Sequence, residues 1–293
     1  MPALMVLAVA GLMAQLVDGS LGMGFGVTSS TLLVAAGIAP ATASASIHLA
    51  EVGTTLVSGL SHHKLGNVDW RTVAVMAVPG GIGAFAGAHF LAGLPAEVAK
   101  PWVAGLLFLL GVYVIWRFLV LGGRRPQFEG RVSTKLLLPM GLFGGALDAV
   151  GGGGWGPVGT TSLLASGRLA PRMVVGSVSA AEFVVAVGGS VGFLMALGKE
   201  GVDAGFVVAL LAGGVVAAPL AAWLVKRLAA RVLGVAAGGL ILLTNSKTVM
   251  ESLGAPGLYV ALAAAALAML WMSLIAVAVR QERAARPLEA VPG

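Results

Sequence analysis

Asp18 and Glu51 recur, in matching local context, as Asp148 and Glu182. All four lie inside long apolar stretches, where an ionisable side chain is costly and marks a path for ions or solutes. His48 stands three residues before Glu51, so the two share a helix face with Thr54 and Thr55. Ser179 takes the place of His48 in the second occurrence. The chemistry open to such a set is a proton relay or cation coupling. The structural alternative is a hydrogen-bonded network that holds its surroundings in place. Asp18, His48, Glu51, Asp148 and Glu182 can also gather round a divalent cation. No spacing of the HExxH kind is present, so the sequence assigns no metal and no cofactor.

Elements able to hold buried acids must themselves be apolar. The chain has 293 residues, 58% hydrophobic and 10% charged, against about 25% charged in a soluble domain. This is the composition of a polytopic membrane protein. Its 44 glycines suit closely packed transmembrane helices. The net charge of +6 comes from residues in short loops, which orients a membrane protein rather than recruiting nucleic acid. With no cysteine, disulfides and thiolate chemistry are excluded. GxxxxGK[ST] is absent, so nothing points to nucleotide hydrolysis. Met1 to Val17 lacks the basic start of a signal peptide and matches 136–147, so it reads as a retained membrane segment.

The chain is built twice from one unit. At an offset of 130, Gly11, Asp18, Gly22, Gly24 and Gly26 match Gly141, Asp148, Gly152, Gly154 and Gly156. Thr31, Leu33, Ala35 and Gly37 match Thr161, Leu163, Ala165 and Gly167. After one inserted residue, Pro40, Ser46, Ala50 and Glu51 match Pro171, Ser177, Ala181 and Glu182. Asp69 then answers to Asp203, and Gly80-Gly81 to Gly213-Gly214. Internal repeats of this kind build many transporters. Hydropathy divides the chain into a first transmembrane repeat (1–121), a cytoplasmic linker (122–134), a second repeat (135–250), an extra span (251–280) and a polar, mobile cytoplasmic tail (281–293).

Each repeat opens with an interrupted apolar segment, 3–37 and 135–167, followed by three spans. One unbroken helix of about 33 residues would be near 50 Å long, too long for a core of about 30 Å. Either each segment crosses with a break, or it enters and leaves on one side. Crossing divides the 18 basic residues evenly between the two sides. Re-entrant hairpins leave only Lys100, Lys199 and Lys247 outside and put the other 15 in the cytoplasm. The positive-inside rule selects the hairpins. A hairpin plus three spans is an odd number of crossings, so the two repeats are expected to be inverted.

The arms of each hairpin, roughly 11–16 residues, reach about the bilayer centre. Asp18 and Asp148 are expected to end the first arms, near the negative end of each helix dipole, where a carboxylate is disfavoured. The second arms are expected to begin near Val27 and Pro157. Their free N–H groups and dipole would make an anion site without a basic side chain. Gly24, Gly26, Thr28, Ser29, Gly154, Gly156, Thr160 and Thr161 are the candidate solute-binding residues. Asp18, His48, Glu51, Asp148 and Glu182 are the candidates for proton coupling or for organising the site. Phe25 and Trp155 are equivalent and read as gates, or as packing. His62-His63-Lys64 reads as a solvated cytoplasmic loop, and His89 as packed or interfacial. Trp70, Trp102, Trp116 and Trp223 fall near span ends, as an aromatic belt would.

Gly22-Met23-Gly24-Phe25-Gly26, Gly151-Gly152-Gly153-Gly154-Trp155-Gly156-Pro157 and Pro79-Gly80-Gly81-Ile82-Gly83-Ala84 carry a resemblance. The pattern resembles the TauE/SafE family, also called the toluene-sulfonate uptake permease family, over nearly the whole chain. The resemblance implies transport of small sulfur-containing anions such as sulfite, sulfate or organosulfonates. Here the first glycine run is diluted by Met23 and Phe25, and both tips carry an aspartate. Protonation during anion symport would explain acids beside an anion, and so would a bound cation.

The sequence therefore predicts an all-α secondary transporter of the cytoplasmic membrane. It would have two inverted repeats of hairpin plus three spans, and a final helix ending in the cytoplasm. Its partners would be a small anionic solute, protons and the bilayer. A divalent-cation transporter is the alternative. A membrane enzyme or a non-transporting subunit is a third class, disfavoured by the short loops.

Overall fold

The computed structural model describes residues 2–120, 131–166, 168–224 and 230–289. These form eleven α-helices and one 3-10 turn, with no strand among the described residues. The first repeat comprises α1 (Pro2–Leu21), α2 (Phe25–Ala35), α3 (Pro40–Lys64), α4 (Trp70–Ala92) and α5 (Ala96–Val120). The second comprises α6 (Thr134–Gly151), α7 (Trp155–Ser166), α8 (Pro171–Leu197), α9 (Ala204–Leu224) and α10 (Ala230–Ser252), and α11 (Gly257–Glu289) follows. Six of the described helices, α1, α4, α5, α8, α9 and α11, are long and apolar enough to cross a membrane. The 25-residue α3 carries more polar residues and is largely buried, and the 23-residue α10 packs on α5 and α11.

Equivalent residues start equivalent helices. Pro40 and Pro171 open α3 and α8, where a missing N–H costs nothing. The Asp69 carboxylate accepts the Thr72 N–H at 3.2 Å, and Asp203 accepts the Phe206 N–H at 3.1 Å, fixing the starts of α4 and α9. Gly22 and Gly152 end the first arms at φ 70° and 68°. That region suits glycine because it lacks a Cβ.

The repeats are intertwined. The helix α1 packs on α9 of the other repeat, and its counterpart α6 packs on α4. Bonds are exchanged in the same way. Ser177 Oγ accepts the Asp69 N–H at 2.8 Å, and its equivalent Ser46 Oγ accepts the Asp203 N–H at 3.3 Å. Such reciprocity is what a two-fold relation between like units produces. Glycine lets the helices meet closely. A Cβ on Gly11 would fall 2.7 Å from the Leu210 carbonyl oxygen, and one on Gly141 would fall 2.5 Å from that of Met76. The outer helix α11 leans mainly on α10 and leaves most of its apolar surface facing outward.

Several expectations change. The first arms run past the aspartates to Leu21 and Gly151, with 20 and 18 residues, because Gly19 and Gly151 are accommodated as helix until a positive φ stops the ladder. The second arms begin at Phe25 and Trp155, two residues earlier than expected. His62 is not a solvated loop residue. It lies in the last turn of α3, fully buried, with Nε2 donating to the Gly19 carbonyl at 3.1 Å. The start of the expected polar tail continues α11 as helix, as far as Glu289. Most of the linker lies outside the described residues. Trp70, Trp102, Trp116 and Trp223 are all exposed, and His89 is exposed with its ring against Phe85.

Candidate functional site

The helices α3 and α8 bring Glu51 and Glu182 into the centre, where the two broken-helix tips deliver Asp18 and Asp148. All four acids and His48 are buried. Glu51 of the first repeat stands with His48 and with Asp148 of the second, one ligand atom from each within 4.8 Å of the others. No lysine or arginine pairs with these acids among the described residues; the ionisable partner on offer is His48.

Each aspartate has a second role. The Trp155 N–H donates to Asp148 Oδ1 at 2.9 Å, and the equivalent Phe25 N–H donates to Asp18. The carboxylates thus face the positive ends of α7 and α2, not only the negative ends of the arms that carry them. This corrects the dipole argument made from sequence. Side-chain reach, rather than position along α1 and α6, decides which helix end an acid meets. The other oxygen of each, Asp18 Oδ2 and Asp148 Oδ2, has no hydrogen-bond partner.

His48 is fixed on both sides. Its Nδ1 lies 2.9 Å from the Ser44 carbonyl, which only accepts, so Nδ1 carries the proton. The ring meets Phe193 edge-on at 5.7 Å. A Cβ on Gly189 would sit 2.7 Å from Nε2, so the ring fits only because that position is glycine. Nε2 then faces Asp148 Oδ2 at 3.4 Å. Ser44 also donates to the Ala149 carbonyl at 2.7 Å, tying α3 to the second tip.

The tips press directly on each other. A Cβ on Gly26 would strike the Gly152 carbonyl, and one on Gly156 would come 2.7 Å from the Gly22 carbonyl oxygen. The Thr160 hydroxyl donates to that same Gly22 carbonyl at 2.5 Å. Ser29 is buried with a free hydroxyl, Thr28 is half-buried, and Gly24 and Gly154 complete the turns. Thr161 belongs to α7, and its side chain lies outside the described ones. Phe25 and Trp155 are fully buried. The Trp155 ring occupies the space beside Gly80, and Phe25 the space beside Gly214. Trp155 Nε1 also donates to the Val178 carbonyl at 3.1 Å.

Sequence reasoning missed several polar residues of this interior. Gln15 and Ser58, both buried, leave their polar side-chain atoms without partners near Gly19. The signal for Gln15 was a lone amide in an apolar stretch. Asn245 donates to Thr31 Oγ1 and to the Ile241 carbonyl, both at 2.8 Å, joining α10 to α2. Gly189 matters through His48, a relation no local spacing reveals, and Ser44, four residues before His48 on α3, also reaches the Ala149 carbonyl of the other repeat.

Comparison with known proteins agrees with this architecture. The family model described as sulfite exporter TauE/SafE matches residues 7–248. The probable membrane transporter protein YtnM of Bacillus subtilis (strain 168) is 49% identical over 278 residues, covering 94% of this chain and 92% of that protein. The probable membrane transporter protein YdhB of the same organism is 28% identical over 178 residues, covering 60% of this chain and 71% of that one. No solved structure matches the chain.

Proposed function

The chain belongs to the sulfite exporter TauE/SafE family, and from that premise we propose that it carries a small sulfur-containing anion, such as sulfite, sulfate or an organosulfonate, across the cytoplasmic membrane. It is a multi-pass membrane transporter and not an enzyme. The observation that carries the proposal is the meeting of two glycine tips beside four buried acids that no lysine or arginine pairs with among the described residues. In this reading the closed tips are the occluded state. Parting the Gly26–Gly152 and Gly156–Gly22 contacts frees backbone N–H groups at the starts of α2 and α7 to meet the anion. The free hydroxyls of Ser29 and Ser58 and the Gln15 amide supply further donors. Protons loaded on Asp18, Glu51, Asp148 and Glu182 lower the charge that the anion would otherwise face. The reciprocal contacts suit repeats inverted across the membrane, with the C-terminus in the cytoplasm.

The test is flux. Protein reconstituted in liposomes should exchange labelled sulfite, sulfate or a short alkanesulfonate, and an inward proton gradient should accelerate the uptake. Failure of every anion on that panel, with folded protein in the bilayer, would overturn the reading.

A further inference from the structure

The two halves of the acid cluster are not equivalent. On one side Glu51 and Asp148 stand with His48; on the other, their equivalents Glu182 and Asp18 have Ser179 at the position that corresponds to His48. On the first side, His48 Nε2, both oxygens of Glu51 and Asp148 Oδ2 are buried acceptors without a donor. Nε2 is an acceptor because Nδ1 holds the proton against the Ser44 carbonyl. A ring nitrogen anchored in this way is how proteins present the opposite nitrogen to a metal. One ligand atom from each residue lies within 4.8 Å of the others. The 3.4 Å between Nε2 and Asp148 Oδ2 is long for an N–H···O bond. It matches the edge of about 3.4 Å between two ligands each about 2.1 Å from one tetrahedral ion.

We propose that His48, Glu51 and Asp148 bind one first-row divalent metal ion, through Nε2 and the carboxylate oxygens. One imidazole with carboxylates suits Zn2+ or Mn2+ better than the oxygen-only preferences of Mg2+. The ion's two charges offset those of Glu51 and Asp148, so the metal and the protons of the transport reading are alternative occupants of these two carboxylates. Asp148 bridges the ion and the Trp155 N–H, so the metal clamps α3 of one repeat to the tip of the other. The inference goes beyond anion transport and does not depend on it. It also sets the stoichiometry. The mirrored position has Ser179 in place of the imidazole, so each chain holds one ion rather than two.

The experiment uses the full chain, purified in detergent and stripped with EDTA, with Mn2+ and Zn2+ as probes. Equilibrium dialysis should give one ion per chain. Pulsed EPR of the Mn2+ form should show coupling to one imidazole nitrogen. His48→Ser installs the residue that the other repeat uses at this place, and should weaken binding at least tenfold and remove the nitrogen coupling. Gly189→Ala leaves every ligand in place but pushes its Cβ into the ring, and should also weaken binding. Absence of bound metal, two ions per chain, or Mn2+ bound to the unmodified protein without nitrogen coupling would each overturn the site. The EPR result on unmodified protein decides the matter if the variants fail to fold. Anion flux is read separately: its absence overturns the transport proposal and leaves the metal site standing, and absence of metal does the reverse.

Discussion

Asp18 and Asp148 combine a charge with a cap, and substitution can separate the two. Asparagine keeps an oxygen for the Phe25 or Trp155 N–H but cannot carry the proton. Alanine loses both, and loss of a helix cap costs about 1 kcal/mol. Asp148→Ala should therefore lie about 1 kcal/mol below Asp148→Asn in stability, while both fail in proton-driven uptake. Thermal unfolding in detergent and flux in liposomes measure the two effects; equal stability for the two variants would remove the cap. For the glutamates the split is different. Glu51→Gln and Glu182→Gln should still exchange anion for anion, yet lose acceleration by an inward proton gradient. A glutamine variant that keeps the acceleration would take that residue out of the coupling.

At the scale of elements, close helix approach decides what each glycine does. Gly141 has a neighbouring carbonyl where its Cβ would go, and α6 cannot back away from α4 without opening that crossing. Gly141→Ala should destabilise by about 1–3 kcal/mol, the usual cost of overfilling a packed site. Gly105, in α5, has nothing within 4 Å of its Cβ position. Gly105→Ala should be neutral or more stable by up to about 1 kcal/mol, since alanine is the better helix former. Unfolding in mixed micelles compares the two. The helix ends follow the same logic. The break at Gly22 was placed correctly as a region, but α1 continues through Gly19 because a single glycine does not stop a helix whose neighbours still hydrogen-bond.

For the whole molecule, topology is the open quantity, and the absence of cysteine makes it measurable. Lys135 and Arg168 flank α6 and α7, and both are exposed. If this pair of helices is re-entrant, Lys135→Cys and Arg168→Cys should both react with a membrane-impermeant maleimide from the cytoplasmic side. Reaction from opposite sides would mean that the broken segment crosses, and would end the inverted-repeat proposal in its present form. With the linker in the cytoplasm, Lys100→Cys should react from outside whether the broken segments cross or re-enter, because one span separates it from that linker.

The sequence by itself determined the membrane class, the duplicated unit, the broken segments and the recurrence of Asp18 and Glu51 as Asp148 and Glu182. Each of these is a property of local hydropathy or of self-similarity, and needs no knowledge of what packs on what. It misjudged His62 and the 281–289 segment because polar residues near a span end look alike whether solvated, buried or helical. Only the tertiary structure decided that Glu51 gathers with Asp148 of the other repeat and His48. It alone turned His48 Nε2 toward that pair and set Gly189 against the ring. Those relations join residues about 100 or more positions apart, across a crossing that glycine faces create, and no spacing along the chain encodes them.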